Sequence, residues 1–152
     1  MDNQALLQHW QSLQEQSLGT SDWLVIAQPQ INAFADATLD HQVIHIDPEA
    51  EATRKLGGTI AHGFLSLSLL SHLLEGLTST HNDDHTVLNY GLNRVRFLHP
   101  VASDSRIRLH CVVNDVTDKS NGVLVTLDST IEIDGQQKPA LVAEQLILLL
   151  YH

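Results

Sequence analysis

The chain has 152 residues, 43 % of them hydrophobic and 17 % charged, which suits one globular domain with a sizeable core and excludes a disordered chain. A formal net charge of −10 argues against nucleic acid or an anionic membrane surface as the main partner, although Arg94, Arg96, Arg106 and Arg108 cluster in sequence. Cys111 is the single cysteine, so no internal disulfide forms.

MDNQALLQHW, the first segment, has neither the basic start nor the apolar run of a signal peptide. No apolar run approaches the ~20 residues of a membrane span, and a cytoplasmic location is expected. Residues 4–17 read as an amphipathic helix with Leu6, Leu7, Trp10 and Leu13 on one side. DWLVIAQ, residues 22–28, reads as a short strand. Pro29 suits the first turn of a helix over 30–38 with Ile31, Phe34 and Ala37 as its apolar face. LDHQVIHID, residues 39–47, follows. From Pro48 the segment PEAEATRKL reads as a short helix that stops at Gly57-Gly58.

Residues 60–77, IAHGFLSLSLLSHLLEGL, are apolar around most of a helical circumference, with small serines between. A helix of this kind is expected to be covered on most sides. The remainder reads as strands over 86–98, 105–113, 123–133 and 140–150, with turn signals at 120–122 and 134–137. The last run is nearly all apolar, as for a strand covered on both faces. Short turns between successive strands imply an antiparallel meander. The expected architecture is one α+β domain over residues 1–152, with the sheet curled around one buried helix.

LDHQVIHID threads Asp40, His41, His45 and Asp47 through apolar residues, and three chemistries compete for it. A metal site is disfavoured. His41 and His45 have zinc-peptidase spacing, but Gln42 stands where the glutamate base belongs. Val43, Ile44 and Ile46 favour extended backbone, which would separate the two histidines. A structural role is open to all four residues: Asp40 in a turn, Asp47 as N-cap of the following helix, His45 in the core, His41 exposed. Acid–base chemistry is the third reading. A carboxylate and an imidazole can hold one water between them and exchange its protons. GTIAHG supplies the complementary part. If a helix begins near His62-Gly63, its first N–H groups lack intrahelical partners and can face a developing oxyanion. Gly63 would permit close approach, and simple packing at the helix start explains it equally well.

Residues 34–70, FADATLDHQVIHIDPEAEATRKLGGTIAHGFLSLSLL, resemble the hydratase signature of the MaoC-like dehydratases and (R)-specific enoyl-CoA hydratases, in the branch related to nodulation protein N. YGLNRVRFLHPVASDSRIRL, residues 90–109, is similar to the strand region of that branch. The resemblance implies a hot-dog fold, an antiparallel sheet wrapped around a long central helix, and a homodimer. It implies syn hydration of a trans-2-enoyl-CoA to an (R)-3-hydroxyacyl-CoA, with no cofactor, coenzyme A being part of the substrate. The family's catalytic aspartate and histidine fall on Asp40 and His45, and its oxyanion donor on Gly63. A family serine that orients the aspartate falls on Ser71, with Ser68 one turn away. Many members carry Asn-Pro where this chain has Gln42-Val43, so Gln42 becomes a candidate substrate contact.

Arg94, Arg96, Arg54 and Lys55 are candidates for the coenzyme A phosphates, with ordinary surface charge as the alternative. Leu39, Phe34 and Phe64 are candidates for an acyl channel, with core packing as the alternative. Hot-dog thioesterases place a carboxylate on the central helix, where this chain has only Glu75 near the end. A non-catalytic acyl-CoA-binding module stays open, since fold does not fix function.

Overall fold

The computed structural model describes residues 2–78 and 85–152. Four long strands, β3 (Val87–Phe97), β4 (Arg106–Lys119), β5 (Gly122–Ile133) and β6 (Leu141–Leu150), form an antiparallel sheet. Two short strands, β1 (Ser17–Thr20) and β2 (Leu24–Val25), both pair with β4. The order is β1-β4-β5-β6-β3, so β3 is an edge. The period-2 pattern decides which face is inward. Ile107, Leu109, Cys111 and Val113 of β4 and Val123, Val125, Leu127 and Ile131 of β5 are buried on one face. Lys119 pairs with Gly122, so Ser120 and Asn121 make a two-residue hairpin loop. β6 lies between β5 and β3, which accounts for its apolar run. Val142, Glu144 and Leu146 are only half-buried, so its outer face is less covered than the sequence suggests.

On the inner face lie α1 (Asn3–Ser12), α5 (Gly63–Ser68) and α6 (Leu70–Glu75). α1 places Leu6 and Trp10 in the core. It is shorter than the 4–17 expected because the following residues leave for β4: the Glu15 N–H bonds the Val113 carbonyl, and the Val113 N–H bonds the Gln16 carbonyl. α5 and α6 follow one another through Leu69, whose N–H bonds Leu65 and whose carbonyl accepts from Leu73. This pair is the central helix. Leu65, Ser66, Leu70, Leu73 and Leu74 are buried, but Gly63, Phe64, Ser68 and Ser71 are exposed. The expectation of cover on most sides is therefore corrected: within one chain the sheet covers one side only. The arrangement is α+β, a hot-dog sheet-and-helix layout.

Candidate active site

α2 (Gln28–Thr38) carries Pro29 in its first turn and ends at Leu39, whose φ of 63° is left-handed. Leucine is an uncommon residue for this C-cap conformation, and its side chain is 81 % exposed. The chain reverses there and delivers Asp40 to the start of α3 (Val43–Ile46).

α3 is a single helical turn, not the extended segment that Val43, Ile44 and Ile46 favour. So short a helix satisfies few of its own carbonyls, and other elements supply the donors. Thr53 Oγ1 donates to the Val43 carbonyl at 3.0 Å, the Ile60 N–H to Ile44 at 3.0 Å, and Gln28 Nε2 to His45 at 2.6 Å. Gln28 Oε1 in turn accepts from Thr59. Tertiary hydrogen bonds thus override the β-branched preference.

His45 is buried, and its Nδ1 lies 2.8 Å from the Ile60 carbonyl. A carbonyl only accepts, so Nδ1 carries a proton, and in the neutral ring Nε2 is the acceptor. His62, the N-cap of α5, stacks on His45 with centroids 3.7 Å apart and planes 23° apart. Its Nε2–H donates to the Asp40 carbonyl at 2.9 Å. Asp40 is half-buried, and its Oδ1 accepts a long bond from the Gln42 N–H at 3.4 Å. One donor-type atom from each of Asp40, His45 and His62 lies within 4.8 Å of the other two. The donor types suit zinc, but stacked rings hold their lone pairs in nearly parallel planes, and one ion would lie out of plane of at least one ring.

Gly63 opens α5, and its N–H meets no acceptor among the described residues. A Cβ there would come within 3.1 Å of the Phe97 ring, so the packing explanation for this glycine also has its contact. A cleft of about 250 Å³ runs past His45, Gly63, Ser66, Phe97 and His99. The structure thus places the Asp40 carboxylate beside the His45 ring, and His45 and Gly63 on one cleft. His62, Ser66 and His99 join them without having been singled out from the sequence. No local pattern marks the His62 side chain as enclosed, because Phe34, Asp40 and His45 enclose it from distant stretches of chain.

Other expected residues lie elsewhere. Ser68 donates to the Phe64 carbonyl at 2.7 Å, and Ser71 to Asn89 Oδ1 at 3.2 Å. Neither hydroxyl reaches Asp40, because both stand on the exposed side of the central helix toward β3. Arg94 is in register with Glu144, which is in register with Asp128; the neighbours of those two along their strands, Leu127, Ser129, Ala143 and Gln145, are buried, so Arg94 is on the outer face of the sheet. Arg96 has the same parity and turns its guanidinium back to the Val95 carbonyl. Both are therefore absent from the His45 cleft. Arg54 and Lys55 pair with Glu49 and Glu51 at the surface. Gln42 is the exposed N-cap residue of α3. Phe64 is 68 % exposed and packs edge-on against Phe97. Phe34 packs on His62 at 5.0 Å. His41 pairs with Asp36 at the surface. Asp47 accepts the Glu49 N–H in a local turn, and the next helix, α4 (Glu51–Lys55), is instead preceded by Ala50.

Residues 9–133 match the family model described as a MaoC like domain. This chain belongs to the MaoC-like dehydratase family. As an enzyme it falls among the hydro-lyases. It is 46 % identical over 133 residues to 3-hydroxyacyl-thioester dehydratase Z of Mycobacterium tuberculosis, covering 87 % of each chain. Nodulation protein N of Rhizobium leguminosarum bv. viciae is 43 % identical over 136 residues, covering 88 % of this chain and 84 % of that one. Among solved structures, the R-hydratase PhaJ1 of Pseudomonas aeruginosa superposes with a TM-score of 0.73 at 20 % identity, covering 91 % of this chain and 83 % of that one. This MaoC-like chain therefore has the hot-dog fold, and the cleft beside His45 lies on its central helix.

Proposed function

We propose that this MaoC-like protein is an (R)-specific enoyl-CoA hydratase, reversibly adding water to a trans-2-enoyl-CoA. The observation that carries the reading is the His45 ring, which has the Asp40 carboxylate beside it and lines one cleft with Gly63, whose N–H meets no acceptor among the described residues. The named activities of the dehydratase Z and PhaJ1 relatives support it.

In the reaction, water held between Asp40 and His45 attacks C3. An O–C3 bond forms as His45 Nε2 takes a water proton. The C2–C3 π electrons move toward the thioester, and the Gly63 N–H donates to the oxygen that gains charge. The enolate then collapses, and C2 takes a proton from Asp40, which carries it as a carboxylic acid at the start of this direction; the proton taken by His45 passes back to Asp40 and resets the pair. Acid and base both come from the chain, so the reading assigns no cofactor and no metal.

A homodimer completes the reading. Among the described residues β3 is an unpaired edge, and it exposes Val87, Leu88, Tyr90, Leu92 and Phe97, each by more than 40 %. A long apolar edge beside the open face of the central helix suits a second copy.

The deciding experiment incubates the protein with crotonyl-CoA and follows the conjugated alkene and free thiol together. Alkene loss without thiol, and a product of R configuration, is the expected result. Thiol release would mean a thioesterase, and binding without turnover of short-, medium- or long-chain enoyl-CoA would mean a binding module.

A further inference from the structure

His62 and Ser66 are the two most enclosed polar side chains at the site that the reaction above does not use, and of the two His62 carries a titratable ring. It is 3 % exposed, and Nδ1 has no hydrogen-bond partner among the described residues. A buried polar atom without a partner costs stability, so a purely structural position would favour an apolar ring or a satisfied amide. The residue nevertheless meets each part of the site. Its Nε2–H holds the Asp40 main chain at 2.9 Å, and its ring face lies 3.7 Å from that of His45. Phe34 backs the same ring, at 5.0 Å between centroids, and the next peptide is the Gly63 N–H.

We propose that His62 is a positioning residue for the hydration, a platform that sets the distance and angle between Asp40 and His45. The proposal rests on the hydratase reading and adds a residue to it. The stack stops the His45 ring from turning about its Nδ1 bond, so Nε2 keeps its direction into the cleft. The bond to Asp40 fixes the backbone from which the carboxylate projects. Both constraints act on the geometry of attack, where small displacements cost rate steeply.

Two substitutions separate the two contacts. His62→Phe keeps a ring under His45 and loses the donor to Asp40. His62→Gln keeps an amide donor and loses the ring. Each is expected to lower kcat on an enoyl-CoA by about 10- to 100-fold with KM within about twofold. Proton spectra give a readout that needs no turnover. The His45 ring protons should be shifted upfield by the stacked ring in the wild type and in His62→Phe, and released in His62→Gln. Wild-type kcat in both variants overturns the proposal and leaves the hydratase reading standing. So does a wild-type spectrum with His45 at unstacked positions, even if neither variant folds. A fall in thermal stability with unchanged kcat would mark His62 as structural only and likewise overturns it. A wild type that hydrates no enoyl-CoA removes the reading and this inference together.

Discussion

Leu39, Asp40 and His45 show how single residues divide the work at the site. Asp40→Asn and His45→Gln should each lower kcat by about 10²- to 10⁴-fold, the range for a positioned acid or base, while melting curves stay near wild type. An Asp40→Asn protein with full rate on crotonyl-CoA would remove the carboxylate from the mechanism. Leu39 adopts a left-handed conformation with its side chain in solvent. Glycine would relieve its backbone strain and lose little burial. Leu39→Gly is expected to raise stability by about 1 kcal/mol in denaturant titrations, unless the exposed leucine is covered in the assembled protein.

At the scale of elements, α3 owes its shape to its neighbours. Thr53 is fully buried on α4 and donates to the Val43 carbonyl. Thr53→Val keeps the volume but leaves that carbonyl without its side-chain donor. The Asp47 N–H still bonds it, so a loss of about 0.5–1.5 kcal/mol is expected in unfolding titrations. Because the same turn carries His45, kcat should fall with it. A Thr53→Val enzyme with wild-type stability would mean that Gln28 and Ile60 suffice to hold the turn. α5 and α6 behave in the opposite way. Their buried side, Leu65, Leu70, Leu73 and Leu74, is built from strong helix formers, and local preference agrees with packing there.

For the whole molecule, the β3 edge with its exposed apolar side chains lies beside the exposed face of the central helix, where Phe64 is apolar and Ser68 and Ser71 are polar. Leu88→Lys with Leu92→Lys places two charges on that edge, which opposes edge pairing. The expected outcome is a monomer in sedimentation or light scattering, set against a dimeric wild type. A monomeric wild type would remove the homodimer, and recovery only with a related but different chain would replace it with a heteromer. No helix among the described residues is long and apolar enough to cross a membrane.

The sequence alone determined the four long strands, the β4-β5-β6 meander and the central helix, because alternation and helical periodicity are local and survive without knowledge of neighbours; β1, and the pairing of β3 with β6 instead of β4, were not legible locally. It also singled out Asp40, His45 and Gly63, since their spacing matches the family's signature. Tertiary structure alone decided the rest. α3 is helical because donors from Gln28, Thr53 and Ile60 reach it from other elements. Arg94 and Arg96 face outward because the register of β3 against β6 places them there. Ser71 bonds Asn89 across to β3 and not Asp40. His62 meets Asp40 across a separation of 22 residues, and no local pattern announces that contact. The physical reason is common to all four: a side chain's partner is set by which elements pack together, and that choice is made by the whole buried surface rather than by any stretch of chain.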